Sequence, residues 1–323
     1  MANFQQFGND LYTGKRSIDF VGKRKITFAI AAALIVLSAL IPLLRGGFNL
    51  GIEFTGGSEF QVSAPASTDQ TIATDVVQAH TETPARVQEL GDGSMRVQTD
   101  PLTAEQNAQV RSELAAGYSV DEESVAVSTI GPSWGADITK QMLIGLAIFL
   151  VLASVFMAIY FRTWKMSLAA MLALLHDLVV TAGIYALTGV EVTPAAVIGF
   201  LTILGYSLYD TVVVFDKIRE NTEHLDTSER TFAGAVNLAI NQTLVRSINT
   251  SVVALLPVAG ILFIGSIIMG AGTLRDISLA LFIGMIVGAL STIFLAGPLY
   301  AQLRMNEPRI REHDGAIEAA TRV

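Results

Sequence analysis

An aspartate, Asp210, lies within a long apolar stretch that runs from about residue 192 to residue 215. An isolated charge at the centre of a bilayer costs about 2.5–3.5 kcal/mol even on insertion scales. On a helix, Tyr206 and Ser207 lie one turn before Asp210, so either hydroxyl could donate a hydrogen bond to its carboxylate. A hydroxyl alone does not neutralise a carboxylate, so the cost must be compensated elsewhere.

A cation and further polar groups occur in the next apolar segment. Four polar side chains follow helical spacing and form one stripe, namely Gln242, Arg246, Asn249 and Thr250. Consecutive membrane helices run antiparallel, so Arg246 enters near the depth of Asp210. Two interpretations stay open. The pair is a static link between helices, with Asp210 either charged or neutral, or Asp210 is a proton-titrating site.

A second pair of ionisable residues, His176 and Asp177, lies within another apolar stretch. Two such groups inside a membrane are expensive and should be paired. They serve either as interhelical hydrogen-bonding groups or as a proton relay. The chain has no cysteine, which excludes disulfides, thiolate metal sites and a cysteine nucleophile. We expect no catalytic residues, no metal site and no cofactor.

The elements that position these residues must be membrane helices. Hydrophobic residues make up 51% of the 323 residues and charged residues only 15%, with a mean hydropathy of +0.51. A chain this apolar is normal for a protein that crosses a membrane repeatedly, with lipid as its main surroundings. The sequence shows no basic patch for nucleic acid. Apolar runs predict six spanning helices over about 26–44, 141–161, 166–187, 192–215, 250–269 and 277–300.

The orientation of these helices follows from the positions of lysine and arginine, which are enriched in cytoplasmic loops. These residues precede the first run, join the second to the third and the fourth to the fifth, and follow the sixth. We therefore predict that both termini are cytoplasmic. The predicted segments are a cytoplasmic N-terminus over 1–25, a first helix over 26–45, an extracytoplasmic domain over 46–138, helices two to six within 139–303 with a cytoplasmic loop at about 217–246, and a cytoplasmic tail over 304–323.

Segment 46–138 has the pattern of a small α+β domain. "SEFQVSA" and "SVAVSTI" alternate like strands, and "ARVQEL" and "SMRVQT" flank the turn "GDG" as a hairpin. Two capping boxes, Ser67 with Gln70 and Thr103 with Gln106, predict helices between the strands. The order β-α-β-β-α-β predicts a ferredoxin-like fold. The fold class is therefore an all-α bundle of six membrane helices with one ferredoxin-like α+β domain.

Three motifs in order closely resemble the SecF family of the bacterial Sec protein-export machinery, within the proton-driven RND superfamily. They are "GIEFTGG" at 51–57, "GYSLYDTVVVFDKIREN" at 205–221 and "NQTLVRSINTS" at 241–251. The resemblance covers nearly the whole chain. It implies half of an RND-type transporter, and a subunit without enzymatic activity that works with SecD. Together they would use the proton-motive force to promote preprotein translocation across the cytoplasmic membrane.

The same resemblance implies the partners. They are SecD, the SecYEG channel and the translocating preprotein, with YajC and YidC as further candidates. One alternative is a self-contained exporter half of the same superfamily. A complete exporter needs two six-helix halves and this chain has one, so a partner is implied. A remote alternative is an intramembrane aspartyl protease, whose second aspartate follows Gly-x-Gly, whereas Asp177 follows a histidine.

Residue roles follow from the resemblance position by position. Asp210 corresponds to the family's essential proton-pathway aspartate and Arg246 to its required arginine, with Thr250 beside the path. Residues of a possible relay or structural role are His176, Asp177, Ser207 and Asn249.

The first motif supplies the family residues Gly51, Glu53, Phe54, Thr55, Gly56 and Gly57, and its last two glycines are expected to form a tight bend. The chain departs from the family at two positions. The family often has aspartate where Glu53 stands, and many members have asparagine where Tyr209 stands. Both departures keep polarity, so they bear on local geometry more than on the assignment.

Overall fold

The computed structural model describes residues 2–265 and 272–321 of the chain. Its helices are α1 (Ala2–Tyr12), α2 (Arg24–Leu44), α3 (Ile52–Thr55), α4 (Gln70–Gln78), α5 (Ala104–Gly117), α6 (Pro132–Phe161), α7 (Trp164–Thr188), α8 (Pro194–Glu223), α9 (Phe232–Gly260), α10 (Gly272–Ser291), α11 (Gly297–Arg304) and α12 (Pro308–Thr321). Its strands are β1 (Gly57–Val62), β2 (Arg86–Glu89), β3 (Met95–Thr99) and β4 (Val125–Ile130).

Within the described residues, six helical segments are long and apolar enough to cross a membrane. They are Arg24–Leu44, Ser133–Phe161, Trp164–Thr188, Pro194–Glu223, Phe232–Gly265 and Gly272–Arg304. The last two include π-helical turns, Ile261–Gly265 and Thr292–Ala296. The end of the predicted fifth run, 266–269, lies outside the described residues. The predicted fold class, a six-helix membrane bundle with a small sheet domain, is confirmed.

The centre of the bundle is formed by α7, α8 and α10, which bury much of their surface, whereas α2 and α6 are mostly exposed. Small residues let α8 and α10 approach closely. A Cβ atom on Gly284 would lie 2.7 Å from Ile203, and one on Gly199 would lie 2.8 Å from the Cβ of Ala280. This close packing fixes α8, which carries Asp210, against its neighbours.

The strands form one antiparallel sheet in the order β2-β3-β1-β4, with β1 paired to both β3 and β4. Together with α4 and α5 they make a sheet domain, which we define as residues 57–130. Its core includes Phe60, Val97, Leu114 and Tyr118, all nearly inaccessible to solvent. The strand order and the β-α-β-β-α-β chain order are those of the ferredoxin-like fold.

The two helices of the sheet domain differ in how well their caps were predicted. Thr103 and Gln106 form the predicted capping box at the start of α5. At α4 the predicted box of Ser67 and Gln70 is wrong, because Asp69 is the N-cap residue. Its carboxylate accepts a hydrogen bond from the backbone N–H of Thr71 at 2.9 Å. The Ser67 hydroxyl instead accepts from the backbone N–H of Asp69.

The glycine motif connects the sheet domain to the bundle. Gly56 and Gly57 have φ values of +76° and +153°, and a Cβ atom on Gly57 would lie 2.6 Å from the carbonyl oxygen of Thr99. The backbone N–H of Gly51 donates to the carbonyl of Val192 at 3.0 Å, and the N–H of Val192 donates to that of Asn49 at 2.7 Å. The tight turn therefore places the sheet domain against the loop 189–193, which joins α7 to α8.

Candidate functional site

Asp210 lies in the middle of α8 and is 5% exposed. One carboxylate oxygen, Oδ1, accepts a hydrogen bond from the hydroxyl of Ser247 on α9 at 2.9 Å. The other, Oδ2, is buried and has no hydrogen-bond partner within the described part of the chain. A buried acceptor without a partner is costly, and protonation would remove the charge that makes it so. The geometry therefore suits a carboxyl group that takes up a proton.

Arg246 lies on the exposed face of α9, one residue before Ser247. Its charge is near enough to act on the Asp210 carboxylate, but no hydrogen bond or ion pair joins the two among the described residues. The reason is helical geometry. Successive residues point about 100° apart around a helix, so when Ser247 faces Asp210, Arg246 faces the bundle surface. The charge of Arg246 therefore influences Asp210 through space.

The rest of the polar stripe divides between two environments. Gln242 joins helices, since its side chain accepts from Asn221 at 2.8 Å and donates to the carbonyl of Tyr12 at 3.1 Å. Asn249 is exposed and Thr250 is half-buried, so both lie on the surface side of α9. On α8, Tyr209, which directly precedes Asp210, is 57% exposed. The bundle thus has a surface with polar groups in its membrane-spanning segments. We call it the polar face and define it as Tyr209, Arg246 and Asn249.

His176 and Asp177 lie on α7 and are both buried. The His176 Nδ1 atom is 3.1 Å from Oδ1 of Asp177, and the hydroxyl of Ser207 on α8 donates to Oδ2 of Asp177 at 2.6 Å. The Nε2 atom of His176 has no partner in the described chain, and His176 lines an apolar groove of about 440 Å³ between α2, α7 and α10. The pair thus takes part in an interhelical hydrogen bond, and a relay stays a prediction.

The structure corrects the expected donors to Asp210. Ser207 bonds to Asp177 instead, and the hydroxyl of Tyr206 has no partner within the described residues. The true donor, Ser247, was not predicted from the sequence. A signal was available, because Thr243, Ser247 and Ser251 recur at four-residue intervals, and all three are buried on one face of α9.

The two carboxylates belong to one buried polar layer between α7, α8 and α9. Ser207 and Asp210 are one turn apart on α8, so the Asp177–Ser207 bond lies next to the Asp210–Ser247 bond. The layer extends toward the sixth span through Thr211, which follows Asp210 on α8 and whose hydroxyl is 3.0 Å from the hydroxyl of Thr292. The layer thus joins α7, α8, α9 and the sixth span through hydroxyl and carboxyl groups, and proton passage along it stays a prediction.

Comparison with known proteins gives consistent matches along the chain. Residues 109–306 match the family described as protein export membrane protein SecD/SecF, C-terminal, and residues 43–64 match the SecD/SecF GG motif. The protein translocase subunit SecF of Streptomyces coelicolor is 47% identical over 316 residues, which cover 96% of this chain and 83% of that protein. The SecF of Mycobacterium tuberculosis is 39% identical over 320 residues, 95% of this chain and 72% of that protein.

A solved structure matches as well. The crystal structure of SecDF, a translocon-associated membrane protein from Thermus thermophilus, superimposes with a TM-score of 0.79 at 30% identity. The match covers 90% of this chain and 39% of that chain. More than half of the longer protein therefore has no counterpart here.

Proposed function

Because the chain belongs to the SecD/SecF family of protein-export membrane proteins, we propose that it uses the proton-motive force, together with a SecD partner, to promote preprotein translocation. At the coarser level, it is a multi-pass membrane protein and an accessory subunit of the Sec protein translocase. The observation that carries the proton-driven part is Asp210, a buried carboxyl group with one oxygen bonded to Ser247 and the other unpaired. The test is the proton dependence of export in an Asp210→Asn variant.

Proton carriage requires that Asp210 exist in both charged and neutral forms. The hydrogen bond from Ser247 and the nearby charge of Arg246 favour the charged form, while burial favours the neutral form. A proton carrier needs opposing effects of this kind, because it must pass through both forms in turn. Thr250 is half-buried on the same helix, one turn from Arg246, and would line the approach.

The polar face supports a SecD partner. Polar side chains exposed to lipid are costly, and such residues usually face a neighbouring helix or a water-filled cavity. A second six-helix half packed on Tyr209, Arg246 and Asn249 would cover them. The Thermus protein named SecDF is more than twice as long as the part matched by this chain, which agrees with a second half of that kind. The SecYEG channel and the preprotein are proposed as further partners from the family resemblance, with YajC and YidC as candidates.

We propose that the protein lies in the cytoplasmic membrane with both termini in the cytoplasm and the sheet domain outside. The chain has no cysteine, so single cysteines can be labelled specifically. Gln88 on β2 and Glu223 at the end of α8 are both exposed. An impermeant maleimide added to intact cells should label Gln88→Cys fully and Glu223→Cys only after permeabilisation. Labelling in the reverse order would contradict the orientation.

Loss of the Ser247 hydroxyl should weaken proton-driven export. Ser247→Ala removes the hydrogen-bond donor to Asp210, and a hydrogen bond to a charged group contributes about 1.5–3 kcal/mol. We expect the proton-stimulated part of the export rate to fall by roughly tenfold or more in membrane vesicles, with Ser247→Thr restoring most of it.

Ser251→Ala is the matched control for this test. Ser251 is buried on the same face of α9, but its hydroxyl has no partner in the described chain. The substitution should therefore leave export near the parent rate. Equal defects in the two alanine variants would indicate that Ser247 acts only through packing of α9.

A further inference from the structure

A carboxyl group in the loop 189–193 is enclosed by the sheet domain. Glu191 is 5% exposed, and its Oε2 atom accepts a hydrogen bond from the Gln98 side chain at 3.1 Å. The same oxygen is 3.6 Å from Nη1 of Arg96. Both partners lie on β3, so the contacts join the sheet domain to the membrane bundle. The second oxygen, Oε1, is buried and has no hydrogen-bond partner within the described residues.

Further charged groups surround Glu191 from every adjoining element. Glu59 on β1 accepts from the same Gln98 side chain at 2.8 Å and lies 3.8 Å from Nε of Arg96. The charged and titratable groups of this junction are Glu53 on α3, Glu59 on β1, Arg96 on β3, Tyr185 on α7, and Arg275 and Asp276 on α10. With Glu191 these are four carboxyl and two guanidinium groups, and a fifth carboxyl group, Glu89 on β2, lines the same cleft. The junction therefore has an excess of negative charge when every carboxyl is ionised.

This imbalance changes how tightly Glu191 holds a proton. Burial raises the pKa of Glu191 to about 7 from an ordinary value of 4.5, and the charges of Glu53 and Glu59 act in the same direction. The hydrogen bond from Gln98 and the charge of Arg96 lower it only in part. If the sheet domain moved away, the carboxyl would be exposed to water and its pKa would return toward 4.5. The docked arrangement therefore binds a proton more tightly than the open one.

We propose that Glu191 is a proton-binding site that couples docking of the sheet domain on the loop 189–193 to the pH on that side of the membrane. A water-accessible cleft of about 380 Å³, lined by β2, Arg96 and Glu191, gives protons a route to the carboxyl group. The site is separate from Asp210, which lies deeper in the bundle. The proposal therefore does not depend on the proposed role in export, since it concerns a conformational equilibrium of the chain alone.

The direction of the coupling follows from linkage. Protonation of Glu191 stabilises the docked state, because Glu191 has the higher pKa in that state. This stabilisation is complete below about pH 4.5 and is lost as the pH rises through about 7. The difference between these values limits the change in the docking equilibrium constant to roughly 300-fold. Low pH on the side of the sheet domain should keep the domain docked on the loop 189–193, and high pH should favour the undocked state.

The test measures the distance between the sheet domain and the bundle in the full chain. Cysteines at Gln88 on β2 and Leu187 on α7, both exposed, carry spin labels attached before the pH is varied. In lipid nanodiscs from pH 5 to pH 9, the short-distance population should dominate at pH 5 and decline with a midpoint near 7. A distance distribution that does not change over this range would overturn the proposal.

Three variants separate the proton-binding role from simple contact. Glu191→Gln imitates the protonated form and should stay docked up to pH 9. Glu89→Gln changes another exposed carboxyl group in the same cleft and should titrate like the parent. Arg96→Gln removes a cation, which raises the pKa of Glu191, so its midpoint should move to higher pH. A Glu191→Gln variant that titrates like the parent, or an Arg96→Gln variant that loses docking equally at all pH values, would refute the role.

Discussion

Replacing Asp210 by asparagine should abolish the proton-driven part of protein export while the subunit still assembles. Asparagine has nearly the same volume, and its carbonyl oxygen can accept the hydrogen bond that Ser247 now donates to Oδ1. It cannot ionise, so the site is fixed in the neutral form. A carrier that cannot alternate between forms transports no protons. We expect the export rate under an imposed proton gradient to fall to the rate without a gradient.

The measurement is export of a model preprotein into inverted membrane vesicles with and without a proton gradient. Membrane levels and association with SecD should stay near those of the parent. Asp216→Asn is a matched control, because Asp216 lies on the same helix, is half-buried and accepts a hydrogen bond from Tyr160 at 2.7 Å. The control should keep its response to the gradient. An Asp210→Asn variant whose export rate still responds to the proton gradient would refute the proton-carrier assignment.

The static-link interpretation of Asp210 makes a different prediction. If Asp210 and Arg246 only held two helices together, removing both charges in Asp210→Asn with Arg246→Gln should restore export. The structure favours the other outcome, because no ion pair joins the two residues in the described chain and Arg246 faces the bundle surface. We expect the double variant to be as inactive as Asp210→Asn alone. Arg246→Lys, which keeps the charge but loses the planar guanidinium, should be partly to severely defective.

Local features of the chain were predictable because their causes lie close together in sequence. The Thr103–Gln106 capping box needs only residues three apart, and the apolar spans need only a window of about 20 residues. The predicted cap of α4 was wrong because Asp69 is as good an N-cap residue as Ser67, and it is Asp69 that accepts from the N–H of Thr71. Competition of this kind is decided by backbone geometry, which the pattern alone does not specify.

The partners of the buried polar groups depend on how helices rotate against each other, and sequence spacing does not fix that rotation. Ser207 reaches Asp177, 30 residues away, and Ser247 reaches Asp210, 37 residues away. For Glu191, even burial could not be predicted from the neighbouring sequence. In the sequence it belongs to a short turn, "TGVE", where a carboxylate is ordinary. It is buried only because Gln98, 93 residues earlier, lies on a strand that folds over the turn.

We further propose that the sheet domain moves during each export cycle, so pinning it to the bundle should stop proton-stimulated export. The tethers at both ends of the domain permit motion. Gly46 and Gly47 have φ values of +80° and +120°, and a Cβ atom on either would meet no atom within 4 Å. A Cβ atom on Gly131, before α6, would likewise meet no atom within 4 Å. Hinges are often a few small residues at the ends of elements.

The pin is a short cleavable cross-linker between cysteines at Gln88 on β2 and Thr188 at the end of α7, which line the same cleft. Cross-linked vesicles should export at the rate seen without a proton gradient, and cleavage of the linker should restore the response. The control joins His80 to Glu113 by the same chemistry, since their side chains are 3.0 Å apart within the sheet domain. That link leaves the tethers free and should not slow export. Because both links add the same bulk, unchanged export with the domain pinned to the bundle would make it a passive spacer.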